Sequence, residues 1–466
     1  MTLGLESTVL KYTRPLQRAP LFWIFIVGYI ISFAFFARAN FFLTPADSFI
    51  GCTSTYWLAL NGCGLDGVNC QPFTDFSFEF RCPAQCKGVT LANIRTVGVE
   101  EPVYVPLVVG GGDEQKTYRS DSFICAAAVH AYVPLFTLDL KILTRTGRGI
   151  IPDSRGGCAT VSLVGRFTNY LSSTANGITS TTFPSVFPSS FRVTPSTTLT
   201  QCSDLRKEAL VFNILVTAFI FLVLRPRPLF IFWTLVCAGY WHVILFSDPA
   251  DTPPPLSTAF GTFLPCLFVC YAAWRVAWRF TMPALARMPI ERAVWYLPAF
   301  WAGVLFNDVT AGIPVDRLLV SDIAKRPGAV AAVIVITLVI LVIVLVQANS
   351  VRKSGWLLTY LGWYGAVCLI LLILAMLPGL QFRFHHYFAG LFIMPAVGFA
   401  NRPSAVYQAF LLGMFLNGAG RWGFDSILQT VEEVRRDVKM GPGYTDAIPV
   451  ASKRRSARVI PARFLH

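Results

Sequence analysis

The stretch 118–131, YRSDSFICAAAVHA, decides how the polar part of this chain is read. A cysteine, three alanines and a histidine follow a tyrosine and two serines, inside the one long polar segment of an otherwise apolar sequence. It can be a catalytic Cys/His pair, a metal site, or the buried core of a small exported domain. On a helix, Cys125 and His130 stand at i and i+5 and point about 140° apart, so they make no local pair. The run SFICAAAVHAYV has helical composition, and its small residues permit close packing. A bridged sulfur is no nucleophile. The expectation is therefore a buried helix tethered through Cys125.

The remainder of the sequence demands another solvent. The 466 residues are 54% hydrophobic and 14% charged, with a mean hydropathy of +0.56, whereas a soluble domain carries roughly 25% charged residues. The apolar residues fall in blocks of about 17–22, the length that crosses a bilayer core. Nine candidate spans follow: Pro20–Ala37, Ala209–Leu224, Pro228–Phe246, Thr258–Trp274, Ala293–Phe306, Val330–Gln347, Trp356–Leu377, Phe384–Ala400 and Ala405–Gly420. Ala293–Phe306 is short, and Phe384–Ala400 opens on two histidines. The ARA at 37–39 resembles a signal cleavage site, but the long leader and core of the first block favour an anchor.

Loop charge orients these spans. With residues 1–19 in the cytosol, the inner segments carry twelve cations: Lys11, Arg14, Arg18, Arg225, Arg227, Arg275, Arg279, Arg287, Arg292, Arg352, Lys353 and Arg402. The short outer loops carry four: Arg317, Lys325, Arg326 and Arg383. This matches the positive-inside rule. Nine spans leave the basic tail, residues 423–466, outside, although it contains KRRSAR. The net charge of +14 is thus dispersed over short loops and the tail. Such charge sets topology and touches anionic lipid, so the bilayer is the expected partner and nucleic acid is not.

Residues 40–205 form an exported region that contains eight of the twelve cysteines: Cys52, Cys63, Cys70, Cys82, Cys86, Cys125, Cys158 and Cys202. Cys237, Cys266, Cys270 and Cys368 lie inside apolar spans, where a thiol acts as a small hydrophobe. An even cluster confined to an exported segment reads as disulfides in an oxidising compartment. Eight cysteines allow on the order of a hundred pairings, so counting gives no connectivity. Zinc at CPAQC, residues 82–86, would need a second Cys/His pair at short spacing, and none is near.

CPAQC, then YRSDSFICAAAVHA, then NYLSSTANGITS and SSFRV together resemble the LCCL domain, over roughly Phe80–Val193 and in domain terms about residues 80–195. The resemblance implies a disulfide-linked, β-rich fold wrapped around one central helix. It also implies that Cys86 pairs with Cys125 and Cys82 with a preceding cysteine, here Cys70. Cys52, Cys63, Cys158 and Cys202 would be additions of unassigned pairing. Tyr132, where the family has Gly, and an insert over Val103–Lys116 containing GGGD depart from the pattern. The whole chain is also similar to uncharacterised fungal multipass proteins with an LCCL domain between their first two spans. The fold class expected is an α-helical polytopic bundle with an α+β LCCL ectodomain inserted between the first span and an eight-helix domain over residues 209–422.

The later half holds a second constellation. Asn417, Arg421 and Asp425 recur at i, i+4 and i+8 and share one helical face. Arg383 and His386 do the same one span earlier, and the short ANRPS connection makes the two spans an antiparallel pair. His242, Asn307 and Asp308 end two other spans at the same expected depth, and His385 adjoins His386. Zinc held by His242, His386, Asp308 and Asp425 is one reading; adjacent His385 and His386 point about 100° apart and would not both ligate one ion. The other reading is structural polar packing at the interface. Phe424–Val438 reads as an amphipathic helix with Phe424, Ile427, Leu428, Val431 and Val434 on one side.

No phosphate loop, serine elbow or His-Glu-x-x-His is present. The sequence therefore points to a binding or sensing protein of the plasma membrane or endomembranes, with no cofactor, whose LCCL domain meets a polysaccharide or lipid outside the cytosol. The alternative is a membrane-embedded metal-dependent hydrolase, or a transporter using the His/Arg/Asp layer.

Overall fold

The computed structural model of the protein describes residues 2–56, 77–91, 104–132, 151–165, 170–183, 189–247, 249, 252–315, 323–324, 326–382 and 385–430. The described residues divide into two compact units, one within 2–37 and 206–430 and one within 38–205. It opens with helix α1 (Thr2–Thr13) and helix α2 (Ala19–Ala37), whose helical run continues to Phe42. Trp23, Ile24, Val27, Ile30, Ile31 and Phe35 of α2 are exposed, an arrangement that water would penalise and hydrocarbon would not.

The second unit is a β-sheet domain. Strands β1 (Ser77–Cys82), β2 (Thr117–Arg119), β3 (Gly157–Val164) and β6 (Ser190–Pro195) form a four-stranded antiparallel sheet in the order β1-β3-β6-β2. A small hairpin of β4 (Thr174–Ala175) and β5 (Ile178–Thr179) turns on Asn176-Gly177, both at positive φ, as a two-residue hairpin loop requires. Period-2 alternation buries Ala159, Val161 and Leu163 of β3 with Phe191 and Val193 of β6 and Phe80 of β1. Helix α3 (Ile124–His130) lies wholly inside the same core, and every one of its residues is buried. Its three alanines let the neighbouring elements approach closely. At its C-terminus the Asn176 amide donates to the carbonyls of Val129, His130 and Tyr132, satisfying ends that the helix leaves open.

The disulfides differ from the pairing the resemblance implied. Cys82 joins Cys125 (Cα–Cα 5.7 Å), Cys86 joins Cys52 (5.1 Å), and Cys158 joins Cys202 (5.2 Å). Cys82 is on the same face of β1 as buried Phe80, next to the first turn of α3 where Cys125 sits. Cys86 has left the strand for a one-turn helix, Cys86–Gly88. The pairing Cys86–Cys125 is therefore replaced, and Cys82 is not available to Cys70; Cys63 and Cys70 lie outside the described residues.

The first unit continues with helices α4 (Arg206–Phe219), α5 (Pro228–His242) and α6 (Leu256–Ala273), which run on as wider turns to Leu224, Ser247 and Trp278, the last continuing helically to Leu285. Then come α7 (Pro289–Val304), the short α8 (Phe306–Thr310), α9 (Ala329–Lys353), α10 (Leu357–Ala375), α11 (His386–Ile393) and α12 (Arg402–Trp422). Strands β7 (Leu380–Phe382) and β8 (Leu428–Thr430) pair antiparallel. Asn401 caps α12 by accepting the Ser404 amide, with Pro403 in the first turn. α12 is the buried axis of this unit, with Ala405, Leu412, Phe415, Leu416 and Ala419 in its core. Glycines set how closely it packs. A Cβ on Gly413 would stand 2.2 Å from the Phe300 carbonyl oxygen, and one on Gly303 of α7 would stand 2.2 Å from that of Phe410. Gly390 of α11 meets the Leu411 carbonyl in the same way.

Among the described residues, six helices are long and apolar enough to cross a membrane: Ala19–Phe42, Arg206–Leu224, Pro228–Ser247, Leu256–Leu285, Ala329–Lys353 and Leu357–Ala375. The expected nine are not shown. The candidate Ala293–Phe306 belongs to α7, whose 16 residues begin with Glu291 and Arg292 in the first turn; at a rise of about 1.5 Å per residue it falls short of a bilayer core of about 30 Å. Phe384–Ala400 shrinks to the shorter apolar helix His386–Val397. α12 has the length, but Gln408 and Asn417 interrupt it and it buries against protein. The amphipathic helix expected over Phe424–Val438 is not formed over 424–430, where the chain leaves α12 and builds β8; residues 431–466 lie outside the described residues.

Candidate functional site

The stretch that opened the sequence question forms a buried polar chain at the centre of the β-sheet domain. Tyr118 of β2 places its hydroxyl 3.0 Å from His130 Nδ1, and His130 Nε2 lies 3.2 Å from the Ser173 carbonyl. The Ser173 hydroxyl, 3.3 Å from Nε2, also donates to the Gly112 carbonyl at 3.0 Å. His130 is only 1% exposed. Burial therefore holds its imidazole below the ordinary pKa; the Ser173 carbonyl opposes this and the nearby Lys116 adds to it. Burial, and then the charge of Asp113, raise the Tyr118 phenol well above its ordinary value. The stable state is a neutral imidazole that accepts from Tyr118 and donates to Ser173.

Two glycines of the GGGD insert complete this centre. Gly112 (φ +93°) would bring a Cβ to 2.7 Å from His130 Cε1, and Gly111 (φ +88°) to 2.5 Å from the Phe183 ring. Part of the insert that departs from the family pattern thus closes the core. Arg119 and Asp121 make a buried ion pair at 2.6 Å. Cys125 is bridged to Cys82, so the Cys/His catalytic reading has neither a free thiol nor a shared contact.

In the helical unit, His242 is buried at the end of α5, where its Nδ1 lies 3.1 Å from the Asn213 amide of α4. The Tyr29 hydroxyl of α2 donates to Asn213 Oδ1 at 2.8 Å, and Trp301 Nε1 donates to Thr217 at 3.2 Å. Phe246 stacks on the His242 ring and Trp301 meets it edge-on. Asn417 donates to the Val304 carbonyl at 3.0 Å, while its own Oδ1 is buried without a partner among the described residues. His386 packs between Phe306 and Trp422, and His385 Nε2 lies 3.2 Å from the Ser426 carbonyl. Arg421 donates to the Pro249 carbonyl, and Tyr387 donates to the backbone carbonyl of Asp425. Asn307 is half-buried, Asp308 and Asp425 are exposed, and Arg383 lies outside the described residues.

The expected layer is thus distributed among separate partners. Among the described residues, no group of three or more His, Cys, Asp or Glu side chains stands close enough to hold a metal ion. Asn213 and Thr217, which organise the His242 environment, were not in the expected set. A lone Asn and Thr inside the second apolar block were the signal available for them.

Comparison with known proteins sets these features in context. The LCCL domain family matches residues 50–134. That match starts well before Phe80 and takes in Cys52, which is therefore not outside the family segment as expected. The structure needs β3 and β6 beyond residue 134 to complete the sheet. Over 397 residues the chain is 34% identical to the uncharacterized protein YIL067C of Saccharomyces cerevisiae, covering 79% of this chain and 55% of that protein. The chain thus spans about half the length of this relative. No solved structure matches the chain. The chain carries a disulfide-bonded β-sheet LCCL domain after its first apolar helix, followed by a mostly helical region with six candidate spans.

Proposed function

We propose that this protein presents an LCCL domain on the non-cytosolic side of a membrane of the secretory route, where that domain binds or senses a polysaccharide or lipid. The observation that carries the reading is one chain joining cystine-linked sheet elements to six helices long and apolar enough to span a bilayer. Cystines persist in oxidising compartments, which supports placing residues 40–205 outside the cytosol. Purified full chain in nanodiscs is titrated with wall glycans and with lipid vesicles. Saturable binding that is lost when the disulfides are reduced supports this function, and binding to neither class removes it.

A second reading is a small-molecule or lipid passage through the helical unit. The buried, unpartnered Asn417 Oδ1 favours it, because such an acceptor is costly to leave unmatched. Uptake into proteoliposomes, compared between the parent chain and Asn417→Leu, tests it. Equal transport by both would reject a role for that acceptor.

A further inference from the structure

The end of the helical unit where α1 docks carries more unmatched hydrogen-bond donors than packing explains. α7 begins after Met288, which offers no capping side chain. Glu6 of α1 supplies the cap from a distant part of the sequence. Its carboxylate accepts the amides of Ile290 at 3.0 Å and Glu291 at 2.8 Å, and the residue is only 8% exposed. α1 is held there by Arg225, which donates to Thr13 at 2.6 Å. Within electrostatic reach of Glu6, Arg292 is 2% exposed. Its guanidinium donates to the Phe221 carbonyl at 3.2 Å, while its Nε has no partner among the described residues. One helical turn further along α7, the Tyr296 hydroxyl is buried without a partner among the described residues, and so is Nε1 of Trp278, whose ring lies 4.9 Å from that of Tyr296.

These three groups are all N–H or O–H donors, so they call for an acceptor, and a buried donor left unmatched is costly. A helix N-terminus adds further amides and a favourable dipole for negative charge. We propose that this end of the helical unit is an oxyanion site of the phosphate class, closed in this structure by α1, with the Glu6 carboxylate standing in for the ligand. A phosphate group carries more acceptor oxygens than a carboxylate, enough to take over both α7 amides from Glu6 and leave others for a side-chain donor. Binding then requires α1 to release Glu6, so the site is self-inhibited. The phosphate can belong to a lipid headgroup or be free in solution.

The test uses the full chain in nanodiscs, with inorganic phosphate as one probe and phosphatidic acid added to the phosphatidylcholine disc as the other. Native mass spectrometry and tryptophan fluorescence read occupancy. Glu6→Gln, which removes the competing charge and retains one acceptor, should raise the affinity for at least one probe by roughly tenfold. On that background, Tyr296→Phe and Trp278→Phe each remove one donor while keeping an aromatic ring, and each should lower affinity by roughly tenfold. Unchanged or raised melting temperatures for these two variants separate loss of binding from loss of fold. Response to phosphatidic acid alone assigns the lipid headgroup, and response to inorganic phosphate assigns the free ion. If Glu6→Gln leaves both affinities unchanged, or both aromatic variants bind as well as Glu6→Gln, the proposal is overturned.

Discussion

At the scale of single residues, His130 behaves as a core residue with a chemical signature. Its imidazole is neutral in the folded domain, with a pKa below the ordinary value because burial outweighs its polar partners. The unfolded chain takes up a proton near the ordinary pKa of about 6.5, and the folded chain does so only at lower pH. The stabilisation is therefore complete above the unfolded value and is lost as pH falls from there through the folded value. Amide-exchange protection of α3, corrected for intrinsic rates, should decline on acidification across that interval, and His130→Gln should flatten the decline. A profile equally steep in both proteins would remove His130 as the cause. The cysteines give a second residue-level prediction. Peptide mapping without reduction should recover Cys52–Cys86, Cys82–Cys125 and Cys158–Cys202. Cys125→Ser should cost about 2–5 kcal/mol, the usual value of a native bridge in a small exported domain. A Cys86–Cys125 peptide would contradict the arrangement.

Elements are positioned here by what side chains they lack. α12 passes α7 and α11 at Gly413, Gly303 and Gly390, where added atoms would meet backbone rather than movable side chains. Gly413→Ala should destabilise the detergent-solubilised protein by about 3 kcal/mol, at the upper end for overpacking. Gly362→Ala in α10 has open space around it and should be neutral or slightly stabilising, since Ala is the better helix former. Thermal melts of the two variants compare them directly, and equal shifts would disprove the close crossing. At this scale the sequence was least legible. Hydropathy marked Phe384–Ala400 and Ala405–Gly420 as spans, but apolar residues that pack on protein and those that face lipid look alike in a window, so it did not reveal that the first stops at the shorter helix His386–Val397 or that α12 is buried among its neighbours. Length, interrupting polar side chains and packing partners distinguish them, and only the last needs three dimensions.

For the whole molecule, α9 and α10 are apolar on every side and exposed along most of their length. Hydrocarbon is the medium that fits such surfaces. Cys368 of α10 is exposed among them, whereas Cys266 and Cys270 of α6 are buried. In intact membranes Cys368 should resist a water-soluble maleimide and react with a lipid-partitioning one, while the α6 pair should react with neither before unfolding. Rapid aqueous labelling of Cys368 would place α10 outside the bilayer.

Composition and block length alone established a chain rich in membrane-length helices, because transfer of apolar side chains from water depends on the amount and run of apolar surface and little on its partners. Ordered cysteines and the YRSDSFICAAAVHA stretch likewise marked a cystine-linked domain around a buried helix. Tertiary structure alone decided which sulfurs join, which polar groups share partners, and which apolar helices bury against protein. Those outcomes depend on distances between residues far apart in the chain: a one-turn helix after β1 redirects Cys86, and Glu6 caps a helix nearly three hundred residues downstream.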